Sequence, residues 1–246
     1  MPDLPQPPPR PGAAYVILAG GSGSRVGAAT NKVYLPLAGA PVLAWSVRHA
    51  AACPLVSRIV LAVRPADRPE AAAALAACGR LDVPVTVVDG GATRHGSEQQ
   101  AMRALAADIA AGALDVVAVH DGARPLAGPG LIAAVLGAAR AHAAAVPAVP
   151  SLDTVDAAVL TGAAPSADPG AQPPLVAVQT PQAFHAAALL EAFRRAAADG
   201  FEGTDTASIW ERYGPSPVHT VASSRLNLKI TYPGDLDVAA GALAGR

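Results

Sequence analysis

The chain has 246 residues, 52% of them hydrophobic, 15% charged and 4% aromatic, with 23 glycines and 24 prolines; so large an apolar inventory at this length excludes disorder and supplies a sizeable core. Lys plus Arg number 18 and Asp plus Glu 19, a formal net charge of -1, which excludes the global cationic field that grips nucleic acid or anionic lipid, so a bound anion must meet a local site. Cys53 and Cys78 are too few for a disulfide framework and too far apart for a CxxC motif, and no apolar run approaches the roughly 20 residues of a membrane span. A cytoplasmic protein with no nucleic-acid or membrane partner is expected.

Residues 1–12 are proline-studded and lack a hydrophobic h-region, so they read as a flexible tail, and 13–246 as a single domain. Ala14–Ala19 is a short continuous apolar run ending in Gly20-Gly21, the pattern of a strand buried on both faces. Arg58–Val63, Pro84–Val88, Val116–Val119 and Ala144–Val149 repeat that format. Between them Val42–Ala52, Arg68–Ala77, Ser97–Ala110 and Pro129–Ala143 are alanine-rich and helix-favouring. Strand and helix alternate, which predicts an α/β fold with a mostly parallel sheet wrapped by helices. Thr161–Pro174, rich in Ala, Pro, Gly, Ser and Asp, interrupts the alternation and reads as an exposed excursion. Ala186–Ala198 predicts a further helix, and Val218–Ala222 and Leu228–Ile230 late strands.

Three loops could carry chemistry. The first, Gly20-Gly21-Ser22-Gly23-Ser24-Arg25, follows the first strand, where glycines let backbone N–H groups approach phosphates. It is neither a dinucleotide fingerprint, since the third glycine place holds Val26, nor a Walker loop. With Arg25 and Lys32 it suits a triphosphate whose α-phosphorus gains negative charge during attack; a tight turn with two surface cations is the structural alternative. The second, Asp89-Gly90-Gly91-Ala92-Thr93-Arg94-His95-Gly96-Ser97, is again a polar loop at a strand's carboxyl end, with Ser97 at a helix start and His95 facing solvent. The third, His120-Asp121-Gly122-Ala123-Arg124-Pro125, puts an aspartate at the end of a buried strand. Asp121 is the best candidate for a magnesium ligand and Arg124 for a second phosphate contact, unless the two merely pair with each other.

These blocks, with Asp153-Thr154, Gln179-Thr180-Pro181-Gln182-Ala183-Phe184, Thr204-Asp205 and Asn227-Leu228-Lys229-Ile230-Thr231, resemble the 2-C-methyl-D-erythritol 4-phosphate cytidylyltransferase family from Val16 to about Leu236. The resemblance implies a Rossmann-like sheet with a protruding β-arm over about 151–180 that makes a homodimer. It implies transfer of CMP from CTP to 2-C-methyl-D-erythritol 4-phosphate, with Mg²⁺ or another divalent cation, in non-mevalonate isoprenoid synthesis. Ala19, Gly20, Gly21, Gly23, Gly91, Arg94 and Ser97 would bind the nucleotide. Arg25, Lys32 and Lys229 would be catalytic cations, and Asp121, Arg124, Thr154, Thr180 and Lys229 would hold the acceptor, Thr180 by reaching the other subunit. Asn31-Lys32-Val33 stands where the family has Pro-Lys-Gln, Gln172 where its arm carries an arginine, and Ala92 where many relatives have a polar residue. Asn31 thus costs the lysine its rigid lead-in. The same chemistry on another polyol phosphate such as ribitol 5-phosphate, or a regulatory homologue that binds nucleotide without turnover, are the alternatives; a dehydrogenase is disfavoured by the failed glycine fingerprint. Trp45, Phe193 and Trp210 read as core, Arg194-Arg195 as a solvated helix face, and Thr204-Asp205 as either a helix cap or part of the site.

Overall fold

The computed structural model describes residues 11–21, 31–151 and 176–245. In chain order its first half comprises β1 (Gly12–Leu18), a hairpin of β2 (Pro36–Leu37) and β3 (Ala40–Pro41), α1 (Val42–Ala51), β4 (Val56–Val63), α2 (Arg68–Ala77), β5 (Val85–Asp89), α3 (Arg94–Ala110) and β6 (Leu114–Asp121). The second half adds α4 (Pro129–His142), β7 (Ala144–Pro150), β8 (Val176–Val178), β9 (Gln182–His185), α5 (Ala186–Ala198), α6 (Thr206–Tyr213), β10 (His219–Ala222) and α7 (Gly234–Ala244). The main sheet runs β10-β7-β9-β6-β1-β4-β5, with β8 paired to β7. β5, β4, β1 and β6 are mutually parallel. Among the described residues no helix is long and apolar enough to cross a membrane.

Alternation along the strands divides the core in two. On β1, Tyr15 and Ile17 face Leu43 and Val47 of α1 and Leu136 of α4. Ala14 and Val16 point the other way, into Met102 and Leu105 of α3, Leu189 and Phe193 of α5 and Trp210 of α6. Every one of these side chains is buried, as a sheet covered on both faces requires. Phe193 and Trp210 are thus core residues, whereas Trp45 is only partly buried, against a third cluster, and donates from its indole to the Leu37 carbonyl.

Three expectations need correction. Gly12 already belongs to β1, and Pro11 accepts a hydrogen bond from Arg140, so the proline-rich lead is tied down before it ends. Helix α3 begins at Arg94, one residue after the N-cap Thr93, rather than at Ser97. Leu228–Ile230 forms no strand; its apolar residues pack into the third cluster, beside Leu126, Leu236 and Ala239. The mostly parallel sheet is as expected, with one insertion: the short strand β9, antiparallel to both neighbours, enters between β6 and β7, while β7 and β10 beyond it are again parallel. The arm expected over 151–180 falls mostly in 152–175, outside the described residues; its flanks Pro150 and Val176 are antiparallel partners.

The order of the strands sets the place for a site. The chain leaves β1 for β4 and β5 on one side, then crosses back along α3 to β6 on the other, and a ligand crevice opens at the carboxyl ends of strands where such a reversal occurs. Leu18 and Asp121 are register partners there.

One backbone strain is removable. Ala143, after α4, has φ 68°, a left-handed conformation that costs a residue with a Cβ about 1 kcal/mol relative to glycine. Ala143→Gly is expected to stabilise the protein by about 0.5–1 kcal/mol in urea unfolding, net of glycine's larger unfolded-state entropy.

Candidate active site

Two adjoining cavities lie at the carboxyl ends of β1, β5 and β6. The larger, about 530 Å³, is walled by Gly20, Gly21, Lys32, Arg64, Gly91, Ala92, Arg94, Ser97, Asp121 and Lys229, among others. The smaller, about 210 Å³, is walled by Arg94, Asp121, Arg124, Thr180, Thr204, Asp205 and Lys229, with Gln179 and Gln182. Arg94, Asp121 and Lys229 belong to both walls. Ala19 does not face the larger cavity: its N–H donates to Ala62 and its carbonyl accepts from Asn31, which leaves Gly20 and Gly21 as the exposed end of the first loop.

Asn31 supplies the lead-in that a proline was expected to give. Its buried amide donates to the Ala19 carbonyl at 2.7 Å and to Asp67 Oδ2 at 3.2 Å, and its Oδ1 accepts from Val33 N at 3.4 Å, capping the single 3-10 turn Lys32–Tyr34. Lys32 is thereby set into the cavity wall with 8% exposure. Asp67 in turn holds Arg64 through two hydrogen bonds, 2.8 and 2.7 Å. Arg64, the first residue after β4, is a cation of the larger cavity that sequence reasoning missed, although its place at a strand's carboxyl end was a signal.

Asp121 is the electrostatic centre. Its Oδ2 accepts from Lys229 Nζ at 2.8 Å and its Oδ1 from Arg94 Nη2 at 3.4 Å, while Arg124 Nε stands 3.9 Å away. Burial works against the charged carboxylate, but Lys229, Arg94 and Arg124 outweigh it and hold the group well below the usual carboxylate range. The expectation that Asp121 might simply pair with its neighbour Arg124 is therefore corrected, since Lys229 is the closer partner. Arg124 donates from Nη1 to the Asn227 carbonyl at 2.7 Å, and burial lowers its affinity for the proton. Asn227 also donates to the Gln179 side chain and to the Thr180 carbonyl, each at 3.0 Å, so the Asn227–Thr231 segment clasps the smaller cavity.

Thr180 turns into its own chain instead of reaching outward to a second subunit. Its hydroxyl accepts from the Asp121 N–H at 3.0 Å and lies 3.1 Å from His120 Nδ1; His120 Nε2 lies 3.1 Å from the Arg124 carbonyl. A carbonyl can only accept, so His120 carries its proton on Nε2, and Nδ1 accepts from the Thr180 hydroxyl. Burial pushes His120 down to about 4, which keeps the ring neutral at pH 7.

The second loop is closed by Ser97, which accepts from Gly91 N at 3.2 Å and donates to the Thr93 carbonyl at 3.0 Å. Gly91 passes so near the first turn of α3 that a Cβ there would lie 2.6 Å from the Gly96 carbonyl carbon. With α3 starting at Arg94, His95 turns inward: it is 3% exposed and stacks on Phe193 with ring centroids 5.3 Å apart, which corrects its expected solvent position. Glu98, one turn on, is buried beside Arg94, and burial, opposed by Arg94 and the Thr206 hydroxyl, lifts its carboxyl to about 7. Arg94 keeps a raised proton affinity despite its burial because Glu98, Asp121 and Asp205 surround it.

Asp205 caps α6 through a capping box with Ser208, the first of its two expected readings, and it also stands in the wall of the smaller cavity, accepting from Gln182 at 2.8 Å. Arg194 and Arg195 are exposed, and Arg195 also lies over the Tyr213 ring. Gly23, Arg25, Thr154 and Gln172 lie outside the described residues. Among those described, no cluster of three His, Cys, Asp or Glu could hold a metal unaided. Asp121 is the one carboxylate among the residues of the larger cavity, a donor set that fits Mg²⁺ only when phosphate oxygens supply the remaining ligands.

Comparison with known proteins points to one family. The model of the 2-C-methyl-D-erythritol 4-phosphate cytidylyltransferase family matches residues 13–244. Curated proteins of that name from Symbiobacterium thermophilum and Acidobacterium capsulatum are 43% and 40% identical to the chain, over 92% of it in each case and 90% and 95% of their own lengths. The crystal structure of a protein of that name from Thermus thermophilus, 32% identical, superposes with a TM-score of 0.67 over 96% of this chain and all of the other.

The neutral His120 gives a pH-dependent signature. Because its folded proton affinity, about 4, lies below the ordinary 6.5, the unfolded chain binds the proton first, and stability falls as pH drops from about 6.5 through 4. His120→Gln removes that titration. The stability gap between wild type and variant should narrow by up to about 3 kcal/mol between pH 7 and pH 4 in urea unfolding; a gap that stays constant would show His120 is not held neutral.

Proposed function

The chain belongs to the 2-C-methyl-D-erythritol 4-phosphate cytidylyltransferase family, and from that premise we propose how its paired cavities carry out the transfer of CMP from CTP to 2-C-methyl-D-erythritol 4-phosphate. The observation that carries the reading is the shared wall: Arg94, Asp121 and Lys229 line both cavities, so a nucleotide in the larger and a phosphorylated polyol in the smaller meet across the same charged groups. A phosphate oxygen of the acceptor bonds to the α-phosphorus, the bond from that phosphorus to the bridging oxygen breaks, and pyrophosphate leaves with the electron pair. A phosphate dianion is already a nucleophile, so no general base is needed, and the neutral, enclosed His120 is not one.

The chain's residues align and neutralise. Backbone N–H groups at Gly20 and Gly21 would face the nucleotide, and the Gly91 loop, whose own N–H is held by Ser97 Oγ, would wall it from the other side. Lys32 and Lys229, with Arg25, would stabilise the charge that grows on the phosphorus oxygens, while Arg124 and Thr180 would hold the acceptor end. A magnesium ion at Asp121, bound together with the triphosphate, would supply further charge neutralisation. The exposed Val176 and Val178 of β8, beside the expected arm, support a homodimer through that arm, to which Thr154 would belong. The free thiols of Cys53 and Cys78 support a reducing compartment, the cytoplasm.

Incubating the protein with CTP, Mg²⁺ and the acceptor and following pyrophosphate tests the reading; release with ribitol 5-phosphate alone would reassign the acceptor, and release with neither would leave a nucleotide-binding regulator. Lys32→Ala and Lys229→Ala should each lower turnover by about 10²-fold, as the loss of one preorganised donor does, without moving the unfolding midpoint by more than a few degrees. Wild-type turnover in either variant removes that lysine from the mechanism.

A further inference from the structure

Glu98 is a buried acidic group for which the transfer has no direct use. Its side chain is wholly enclosed, and a single oxygen, Oε1, accepts from Arg94 Nη1 at 2.5 Å and from Thr206 Oγ1 at 2.6 Å. The other oxygen, Oε2, is buried with no partner. Thr206 is itself fully buried at the start of α6, so the bracket is built between two helices. A half-satisfied carboxylate inside a protein is a cost to stability, and a buried ion pair replaced whole by apolar groups of similar volume often does as well or better. Stability thus gives no reason for an acid at this position.

The placement of Arg94 does. Glu98 holds one guanidinium nitrogen, and the other is left 3.4 Å from Asp121 Oδ1, a long contact, while Lys229 sits on Asp121 Oδ2 at 2.8 Å. Released from Glu98, Arg94 would find Asp121 as its nearest carboxylate. It would close into a short forked pair there, as guanidinium and carboxylate prefer, and compete with Lys229.

We propose, resting on the transfer assigned above, that Glu98, braced by Thr206, is a positioning residue that holds Arg94 off Asp121, so that the guanidinium stays open to a nucleotide phosphate and Asp121 stays with Lys229. Glu98 acts only through Arg94.

The test compares Glu98→Leu, Glu98→Gln and Thr206→Val in the full chain, measuring pyrophosphate release against CTP concentration, the thermal midpoint and a crystal structure of the leucine variant. Glu98→Leu should raise KM for CTP by about 10-fold or more, the scale of one charge-assisted contact, with kcat changed less and the midpoint lowered, because Arg94 and Thr206 lose their acceptor. Glu98→Gln, which can still accept from both partners, should recover KM to within about 3-fold of wild type, and Thr206→Val should raise it by about 3-fold. In the leucine variant Arg94 should lie within about 3.0 Å of Asp121. Unchanged KM overturns the proposal, as does a midpoint loss that the glutamine variant shares with equal loss of activity, the mark of a purely structural role. If the wild type releases no pyrophosphate with any acceptor, it is the assigned reaction that fails, and the crystal structure still decides: an Arg94 that has not moved overturns the positioning role. If the leucine variant does not fold, the valine variant decides on KM alone.

Discussion

A single carboxylate among three cations governs this site. Asp121 stands where β6 ends, opposite the end of β1, and Lys229, Arg94 and Arg124 reach it from a late loop, a helix start and the next turn. Removed from water, the acid could not keep its charge without them, nor could three cations crowd so closely without it. The surrounding structure serves to keep this cluster in register. Thr180 grips the Asp121 backbone, Asn227 carries Arg124, and Glu98 carries Arg94.

That arrangement suits a transfer between two phosphates, which needs no covalent intermediate on a side chain. Attack of one phosphate on another is opposed mainly by like charge and by the need for alignment, and on the proposed reading the fixed cations shared by the two cavities would answer both. Fixing them is the work of neutral groups as much as of charged ones. Asn31 sets the turn that carries Lys32, and the His120–Thr180 pair, locked by its tautomer, sets the strand end that carries Asp121.

Much of this was legible before any coordinates, for a physical reason. Strands β1, β4, β6 and β7 are largely buried and therefore apolar, and the loops after β1, β5 and β6 carry glycine, so both the sheet and the place of the site could be read. What escaped depended on tertiary contact. Gln182–His185 is too short and too polar at its ends to announce a strand, and only its neighbours make it one. Leu228–Ile230 is apolar enough to suggest a strand, yet its residues serve a separate core. His95 changed from exposed to buried because a helix began three residues early. The enclosure of Glu98 was invisible, since its sequence neighbours Ser97, Gln99 and Gln100 are those of an ordinary wet helix face.

The packing of the last helix has a further bearing. Ile230, wholly enclosed, donates its N–H to the Ala123 carbonyl and lies with Leu37, Val42 and Leu126 in a core whose far side is Ala239 of α7. Lys229 owes its aim to that fastening. A folded sheet is therefore not yet a complete site: until α7 docks against Ile230, the glycine loops and the aspartate stand in place while the Lys229 ammonium has no fixed bearing.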